Sequence, residues 1–230
     1  PESSERMRDR VQAIEALATQ CAGQYSILGW IEGPAAEAAD LRGITTFLMD
    51  LMDDPGFCCD LMDRCVEAGK AFARAQLAAG ADTVGIGDAI ASQLDPGSYA
   101  SLIQPREKQL VDAIHDAGGL AKLHICGNIT HLLDSIAALG IDIIDVDHMV
   151  DLGHVRTALG AKVVITGNMD PVTVIRNGTP ESIRAATEAA YAAAGNPYMV
   201  NAGCEIPPGT PPENLKALCA SLVYEPNATP

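Results

Sequence analysis

Short apolar runs rich in β-forming residues alternate along the whole chain with alanine-rich helical stretches. Glycine, aspartate or proline stands at each junction. The pattern predicts six strands, at 25–31, 83–87, 120–125, 141–146, 162–166 and 198–202. It predicts helices between them, at 35–51, 57–79, 96–117, 129–139, 151–159 and 180–194. Because the runs are almost entirely apolar, both faces of the sheet should be buried, which is typical of parallel strands.

Four helix starts carry a capping side chain followed by a proline. These pairs begin at Asp54, Asp95, Thr179 and Thr210. Thr210 with Glu213 also has the spacing of a capping box. The sequence therefore predicts where these helices begin.

Strict alternation of six strands with helices fits either a doubly wound sheet or a (β/α)₈ TIM barrel without two of its units. A glycine-rich G-x-G-x-x-G loop does not follow the first strand, which disfavours the dinucleotide-binding version of the first fold. Polar groups instead stand at the ends of the strands: Glu32, Asp88, His124, Cys126, Asp145, Asp147, Asn168, Asp170, Cys204 and Glu205. Barrel enzymes build their sites from such strand ends. We expect one α/β barrel domain over residues 1–230 that lacks the first two βα units.

Charge and cysteine content limit the class of protein. With 15 basic and 30 acidic residues the formal charge is −15, which disfavours nucleic acid and anionic membranes as partners. No apolar stretch reaches the roughly 18 residues that span a bilayer, and the polar amino terminus has no signal-peptide core. Seven cysteines, an odd number, argue against a disulfide framework and favour a reducing cytoplasm.

The strongest candidate site is a metal centre formed by His124, Cys126 and Cys204. Residues i and i+2 of a strand face the same side, so the imidazole and the thiolate of the H-x-C pair can reach one ion. Cys204 follows a different strand, whose end could face the first across a barrel. One nitrogen and two sulfurs favour tetrahedral zinc with an open fourth position. The spacing alone leaves open a chance H-x-C with cysteines that are simply small buried residues.

Five segments resemble the uroporphyrinogen decarboxylase family, and most closely its methylcobalamin:coenzyme M methyltransferase branch. The segments cover residues 29–34 (GWIEGP), 87–88 (GD), 123–128 (LHICGN), 167–171 (GNMDP) and 201–208 (NAGCEIPP). The H-x-C pair with the distant cysteine is specific to this branch, because true uroporphyrinogen decarboxylases lack those ligands. The likeness extends over essentially the whole chain.

The resemblance implies a barrel that binds Zn²⁺ through these three residues and coordinates a small-molecule thiol. The thiol would accept a methyl group from methylcobalamin or another methylated corrinoid carried by a corrinoid protein. Asp147 or Asp145 could fill the fourth zinc position until the thiol arrives, or could cap a helix or pair with a base. Glu32 and Asp88 are candidate catalytic or supporting residues near the metal.

Asn168 and Asp170 are candidate residues for orienting the substrate or cofactor, although Asp170 could also simply cap the next helix. The other four histidines are interpreted as solvated or core residues: His115, His131, His148 and His154. The methyl acceptor stays open between coenzyme M, homocysteine, tetrahydrofolate and another thiol. Two alternatives remain, a uroporphyrinogen decarboxylase of tetrapyrrole biosynthesis and a non-catalytic barrel that binds a corrinoid protein.

Overall fold

The fold is described from a computed structural model, over residues 1–21 and 23–220. Within these ranges there are six strands: β1 (Leu28–Glu32), β2 (Thr83–Gly87), β3 (Leu120–Ile125), β4 (Ile143–Val146), β5 (Val164–Met169) and β6 (Tyr198–Ala202). The helices are α1 (Glu5–Cys21), α2 (Pro34–Arg42), α3 (Ile44–Asp53), α4 (Pro55–Ala78), α5 (Pro96–Ser98), α6 (Gln104–Asp116), α7 (Leu133–Ala137), α8 (Leu152–Leu159), α9 (Pro180–Ala194) and α10 (Pro212–Cys219). Short 3₁₀ or π segments cover Ala89–Gln93, Tyr99–Ile103, Thr130–Leu132 and Pro171–Arg176.

The contacts divide the chain into two compact units. The first contains residues Pro1–Ile125 and Ser135–Asp142. In its sheet, β2 lies between β1 and β3 and pairs with both in parallel. All five residues of β2 are buried, as expected for a central parallel strand.

Helices α4 and α6 of the first unit pack against each other beside this sheet. Gly69 permits the close approach, because a Cβ there would lie 3.1 Å from the Leu110 side chain. Completely buried aliphatic side chains fill the interior, among them Ile86, Leu110 and Ile114. Burial of such side chains is the main stabilising contribution to a fold of this kind.

The second unit contains Cys126–Asp134 and the chain from Ile143 onward. Here β5 lies between β4 and β6, again with parallel pairing on both sides. A cluster of buried side chains joins this sheet to helices α9 and α10: Met169, Ile175, Ile183, Ala202, Ala217 and Leu218. Because β4, β5 and β6 run parallel, the residues at their carboxyl ends lie along the same edge of this sheet.

The structure confirms the alternation of strands and helices and corrects its details. The helix predicted at 35–51 is two helices, because Gly43 has a φ of +87° that breaks the run. The N-terminal helix α1 was not predicted at all. The capping side chains of Asp54, Asp95 and Thr179 accept backbone N–H groups as predicted.

The predicted N-cap at Thr210 is wrong. Helix α10 begins one residue later, with Pro211 at its N-cap, and the Thr210 hydroxyl donates to the carbonyl of Pro207 instead. Strand β5 also runs further than predicted, so Asn168 lies within the strand rather than after it. Among the described residues, no helix combines the length and apolar character needed to cross a membrane.

Candidate metal centre

Strand register aligns three polar groups at the carboxyl edge of the first unit. Glu32 lies opposite Gly87, and Gly87 lies opposite His124. Asp88, the residue after β2, donates its backbone N–H to the carbonyl of His124 at 2.9 Å. His124 is therefore held at the end of β3 both by the pairing of β3 with β2 and by the hydrogen bond from Asp88.

Two sulfur atoms come together in the second unit. The Sγ atoms of Cys126 and Cys204 lie 3.7 Å apart, and both residues are half-buried. One ligand atom from each of His124, Cys126 and Cys204 lies within 4.8 Å of the other two. The chain itself fixes the imidazole close to this pair, since His124 precedes Cys126 by two residues.

The geometry of this group fits zinc. Two sulfurs bound to one tetrahedral zinc at about 2.3 Å each lie roughly 3.8 Å apart, close to the observed separation of 3.7 Å. One nitrogen and two sulfurs also form the soft donor set that zinc prefers, with a fourth position available. The predicted ligand set is therefore one that the structure brings together.

Without a cation, the Cys126 thiol resists ionisation. Burial, followed by the neighbouring Cys204 and then Asp147, raises the pKa of Cys126 to about 12. A bound divalent cation would offset both effects, because metal ions favour the thiolate form of their ligands. The electrostatics of the pair suit a cation.

Asp147 is held beside the sulfur pair by backbone contacts. Its Oδ2 accepts the N–H of Gly127 at 2.7 Å, and its Oδ1 accepts the N–H of His148 at 2.6 Å. The Nδ1 of His148 lies 2.6 Å from the same Oδ1. Asp145, two residues earlier on β4, is also buried, with Asn201 Nδ2 at 3.4 Å from both of its oxygens. Neither aspartate belongs to the group of converging ligand atoms found among the described residues.

Asp88 and Glu32 occupy different environments at the edge of the first unit. The Asp88 carboxylate is completely buried and accepts the N–H groups of Ala36 and Ala35 at the start of α2. Glu32 accepts from the indole Nε1 of Trp30 at 3.1 Å. Partial desolvation raises the pKa of Glu32, the Trp30 hydrogen bond opposes that rise, and nearby acids reinforce it.

Asn168 and Asp170 each bind backbone groups within the second unit. The Asn168 amide donates to the carbonyl of Val150 at 2.6 Å. Asp170 caps the Pro171–Arg176 segment by accepting the N–H groups of Val172 and Thr173, and the contacts with Thr173 lower its pKa. The capping alternative considered for Asp170 is thus seen in the structure.

Two polar residues near the strand ends were not predicted as site residues. His148 lies between Asp147 and Asp170, with its Nε2 3.9 Å from Oδ2 of Asp170. Glu107 is completely buried on α6. A sequence signal for Glu107 existed, because it continues the apolar helical stripe of Leu110 and Ile114 at steps of three and four.

Six parallel strands that alternate with helices and carry polar groups at their carboxyl ends define an α/β protein of the barrel class. The sequence model of the uroporphyrinogen decarboxylase (URO-D) family matches residues 1–223, and the chain belongs to this family. The solved structure of a methyltransferase from Methanosarcina mazei superposes with a TM-score of 0.84 at 27% identity. That match covers 92% of this chain and 62% of the other, and it supports a (β/α)₈ fold of which six strands are present.

Relatives of two activities are similar to this chain. The methylcobamide:CoM methyltransferase MtbA of Methanosarcina mazei is 33% identical over 212 residues, which is 90% of this chain and 61% of the relative. The methylcobamide:CoM methyltransferase MtaA of Methanosarcina barkeri is 28% identical over 92% of this chain and 62% of its own length. A uroporphyrinogen decarboxylase of Parasynechococcus marenigrum is 28% identical over 95% and 64% respectively. The chain thus spans less than two thirds of the length of these relatives.

Proposed function

We propose that this protein is a zinc-dependent methyltransferase that moves a methyl group from a methylated corrinoid protein to a thiol such as coenzyme M. The observation that carries the proposal is the convergence of His124, Cys126 and Cys204 within 4.8 Å, with the two sulfurs 3.7 Å apart. The similarity to MtbA and MtaA supports the methyl donor and the thiol acceptor. A reducing cytoplasmic setting belongs to the proposal, since none of the seven cysteines, all within the described residues, forms a disulfide.

The residues of this chain would have distinct tasks in that reaction. His124, Cys126 and Cys204 would hold zinc, which when bound lowers the pKa of an incoming thiol and so supplies a thiolate nucleophile. Asp147 would fix the backbone of Gly127 directly after the second ligand. Holding the thiol and the methyl donor in line would supply the rest of the rate enhancement through orientation.

The remaining predicted site residues have supporting tasks in the proposal. Asp88 would keep the backbone that contacts His124 in place, and Glu32 would contact the incoming thiol or corrinoid. Asn168 and Asp170 would shape the edge of the second unit next to His148. In the described structure these two residues already make firm local hydrogen bonds, which suits positioning.

The decarboxylase alternative has weaker support at the strand ends. Uroporphyrinogen carries eight carboxylates and needs cationic side chains around it. The strand-end side chains described above are instead acidic or metal-binding, with Glu32, Asp88 and Asp147 among them. Acidic strand ends repel a polyanionic substrate, so methyl transfer fits these residues better.

The test is zinc content and thiol-dependent demethylation of methylcobalamin. We expect about one zinc per chain in the wild-type protein and its loss in Cys126→Ala and Cys204→Ala. The matched control is Cys219→Ala, because Cys219 is exposed and belongs to no converging ligand group among the described residues. A folded wild-type protein without zinc would exclude the proposal. Zinc binding without demethylation would instead favour the non-catalytic barrel that binds a corrinoid protein.

A further inference from the structure

Part of the first unit extends beyond the carboxyl ends of its strands. Helix α4 runs beside β1, with Gln76 hydrogen-bonded to Trp30 in the middle of the strand and Gly69 facing Ile31 near its end. The portion of α4 that precedes Gly69, residues 55–68, is about 21 Å long at 1.5 Å per residue. Helices α2 and α3 pack against this portion of α4. The three helices therefore project past the edge at which the strands of this unit end.

Five large apolar side chains are exposed on the projecting helices. Together they form the apolar patch: Leu41, Ile44, Met49, Met52 and Phe57. Arg42 connects the three helices beside the patch, because its Nε lies 2.7 Å from Oδ2 of Asp50 on α3 and its guanidinium lies 5.5 Å from the centre of the Phe57 ring on α4. Contiguous exposed apolar surface of this kind marks interaction sites, and methionine is frequent in them.

Helix α3 has apolar residues on two sides. Phe47 and Leu51 are buried and hold the helix in the unit. Ile44, Met49 and Met52 lie on the remaining surface, and Met52 is 81% exposed. A helix with apolar residues on all sides is typical of one that is buried on all sides, whereas a surface helix has a polar outer face. Helix α3 therefore has the composition of a helix that a partner covers on its outer side.

Acidic residues surround the apolar patch. Residues 37–60 contain one basic residue, Arg42, and six acidic residues: Glu37, Asp40, Asp50, Asp53, Asp54 and Asp60. A symmetric dimer would press the same surface of two copies together and so place acids against acids. The charges therefore disfavour a second copy of this chain and favour a partner whose apolar surface has basic residues around it.

The location of the apolar patch indicates which partner needs it. Strand register places Glu32, Gly87 and His124 side by side at the carboxyl edge of the first unit. In the proposed reaction the methyl group arrives on a corrinoid protein, which must approach this edge to bring the methyl group near His124. A protein bound at this edge lies next to the helices that project past it.

We propose that the apolar patch is the docking surface for the methylated corrinoid protein. The donor protein covers Met52 and Phe57 with apolar side chains and places basic residues against the surrounding acids. The patch holds the donor and takes no part in the chemistry, so it affects transfer from a protein-bound corrinoid and not from free methylcobalamin. The identity of the partner rests on the proposed function, whereas the existence of an interaction surface does not.

The experiment compares Met52→Glu with Leu17→Glu. Leu17 is an exposed apolar residue of α1 at the opposite edge of the sheet, where its neighbour Ala18 faces Gly80 ahead of β2. The probe is a corrinoid protein of the same organism loaded with methylcobalamin, and isothermal titration calorimetry measures its dissociation constant. We expect Met52→Glu to raise this constant about tenfold or more, and Leu17→Glu to keep it within about twofold. Thiol-dependent demethylation of free methylcobalamin should proceed at the same rate in the wild-type protein and both variants.

Asp53→Lys tests the charge part of the proposal. Asp53 is exposed at the end of α3, next to Met52. At low salt we expect the dissociation constant for the corrinoid protein to rise about fivefold, and added salt should shrink this difference because it screens exposed charges. The matched control is Asp116→Lys, an exposed acid at the end of α6 just ahead of β3, which should leave the constant unchanged.

The other outcomes overturn the proposal in distinguishable ways. Absence of binding to the wild-type chain, or an unchanged dissociation constant in Met52→Glu, would exclude the docking surface. A melting temperature of Met52→Glu more than about 3 °C below that of the wild type would show that the chain itself covers the patch. A wild-type dimer and a Met52→Glu monomer in light scattering would assign the patch to a second copy. If no protein demethylates free methylcobalamin, the proposed function fails, while calorimetry still decides whether the patch binds the corrinoid protein.

Discussion

Asp147 shows how a single side chain can order the backbone next to proposed metal ligands. Both of its oxygens are used by backbone N–H groups, from Gly127 on one side and His148 on the other. Gly127 directly follows the proposed ligand Cys126, so this hydrogen bond restricts where the Cys126 thiol can point. Partners that orient ligands in this way commonly control metal affinity as strongly as the ligands' own geometry.

We expect Asp147→Asn to lower both stability and zinc affinity. An amide retains one acceptor oxygen, so either Gly127 or His148 faces an NH₂ group and loses its hydrogen bond. The free energy of unfolding should fall by about 1–3 kcal/mol, and zinc affinity by roughly tenfold. Urea unfolding and chelator competition give the two values.

Asp151→Asn is the matched control for that substitution. Asp151 caps α8 by accepting the N–H of His154, and asparagine caps helices about as well as aspartate. Equal effects of the two substitutions would show that Asp147 has no special link to the metal ligands.

The proposed ligands and the candidates Asp88 and Asp147 could be picked out from the sequence, whereas the contacts of these two aspartates could not. His124 and Cys126 stand two apart at the end of an apolar run, and strand alternation alone brings them to one side. The Asp88 carboxylate accepts from Ala35 and Ala36, 53 and 52 positions earlier, and nothing local in the sequence indicates these contacts. His148 was interpreted as a solvated or core residue because its contact with Asp170 arises only when β4 and β5 pair.

On the side of β1 that faces away from β2, a helix side chain takes up hydrogen bonds that a neighbouring strand would otherwise make. Trp30 directs its backbone N–H and carbonyl away from β2, and the Gln76 side chain on α4 binds both, at 2.9 and 3.0 Å. The amide thus takes the place of one residue of a neighbouring strand. Strand edges with unpaired N–H and carbonyl groups favour association between chains. The Gln76 contact removes two such groups in the middle of β1.

We expect Gln76→Leu to destabilise the fold although leucine is similar in size and apolar. The Trp30 N–H and carbonyl would lose their partners next to a buried side chain, since Gln76 is only 2% exposed. The free energy of unfolding should fall by about 1–3 kcal/mol, measured by denaturant unfolding. Gln109→Leu, at an exposed position of α6, should stay within about 0.5 kcal/mol. A stable Gln76→Leu protein would mean that water satisfies the edge equally well.

Strand positions were predictable because each is a compact apolar run between turn residues, as at β2 and β6. Helix ends were less predictable. Gly43 divides α2 from α3 by its positive φ, which an alanine-rich pattern around it conceals. Helix α1 was missed because only Ile14 of its residues is fully buried, so its apolar stripe is weak.

The net charge of −15 affects every cation that the protein meets. A surface with twice as many acidic as basic residues attracts divalent cations without any specific site. Such binding is weak, is screened by salt and does not distinguish one hard cation from another. An experiment must therefore distinguish zinc bound by thiols and imidazole from cations attracted by the acidic surface in general.

Thermal unfolding in the presence of different cations distinguishes the two kinds of binding. A ligand that binds only the folded state at about 100 times its dissociation constant adds about 2.7 kcal/mol, which raises the melting temperature of a chain of this size by roughly 5–10 °C. We expect Zn²⁺ to produce this rise in physiological salt, and Mg²⁺ at the same concentration to produce almost none, because soft thiolate ligands do not favour Mg²⁺. Cys126→Ala should abolish the zinc effect while leaving the small response to Mg²⁺ unchanged. An equal rise with both ions, or an undiminished zinc effect in Cys126→Ala, would assign the stabilisation to the acidic surface and leave the convergence of His124, Cys126 and Cys204 without an energetic role.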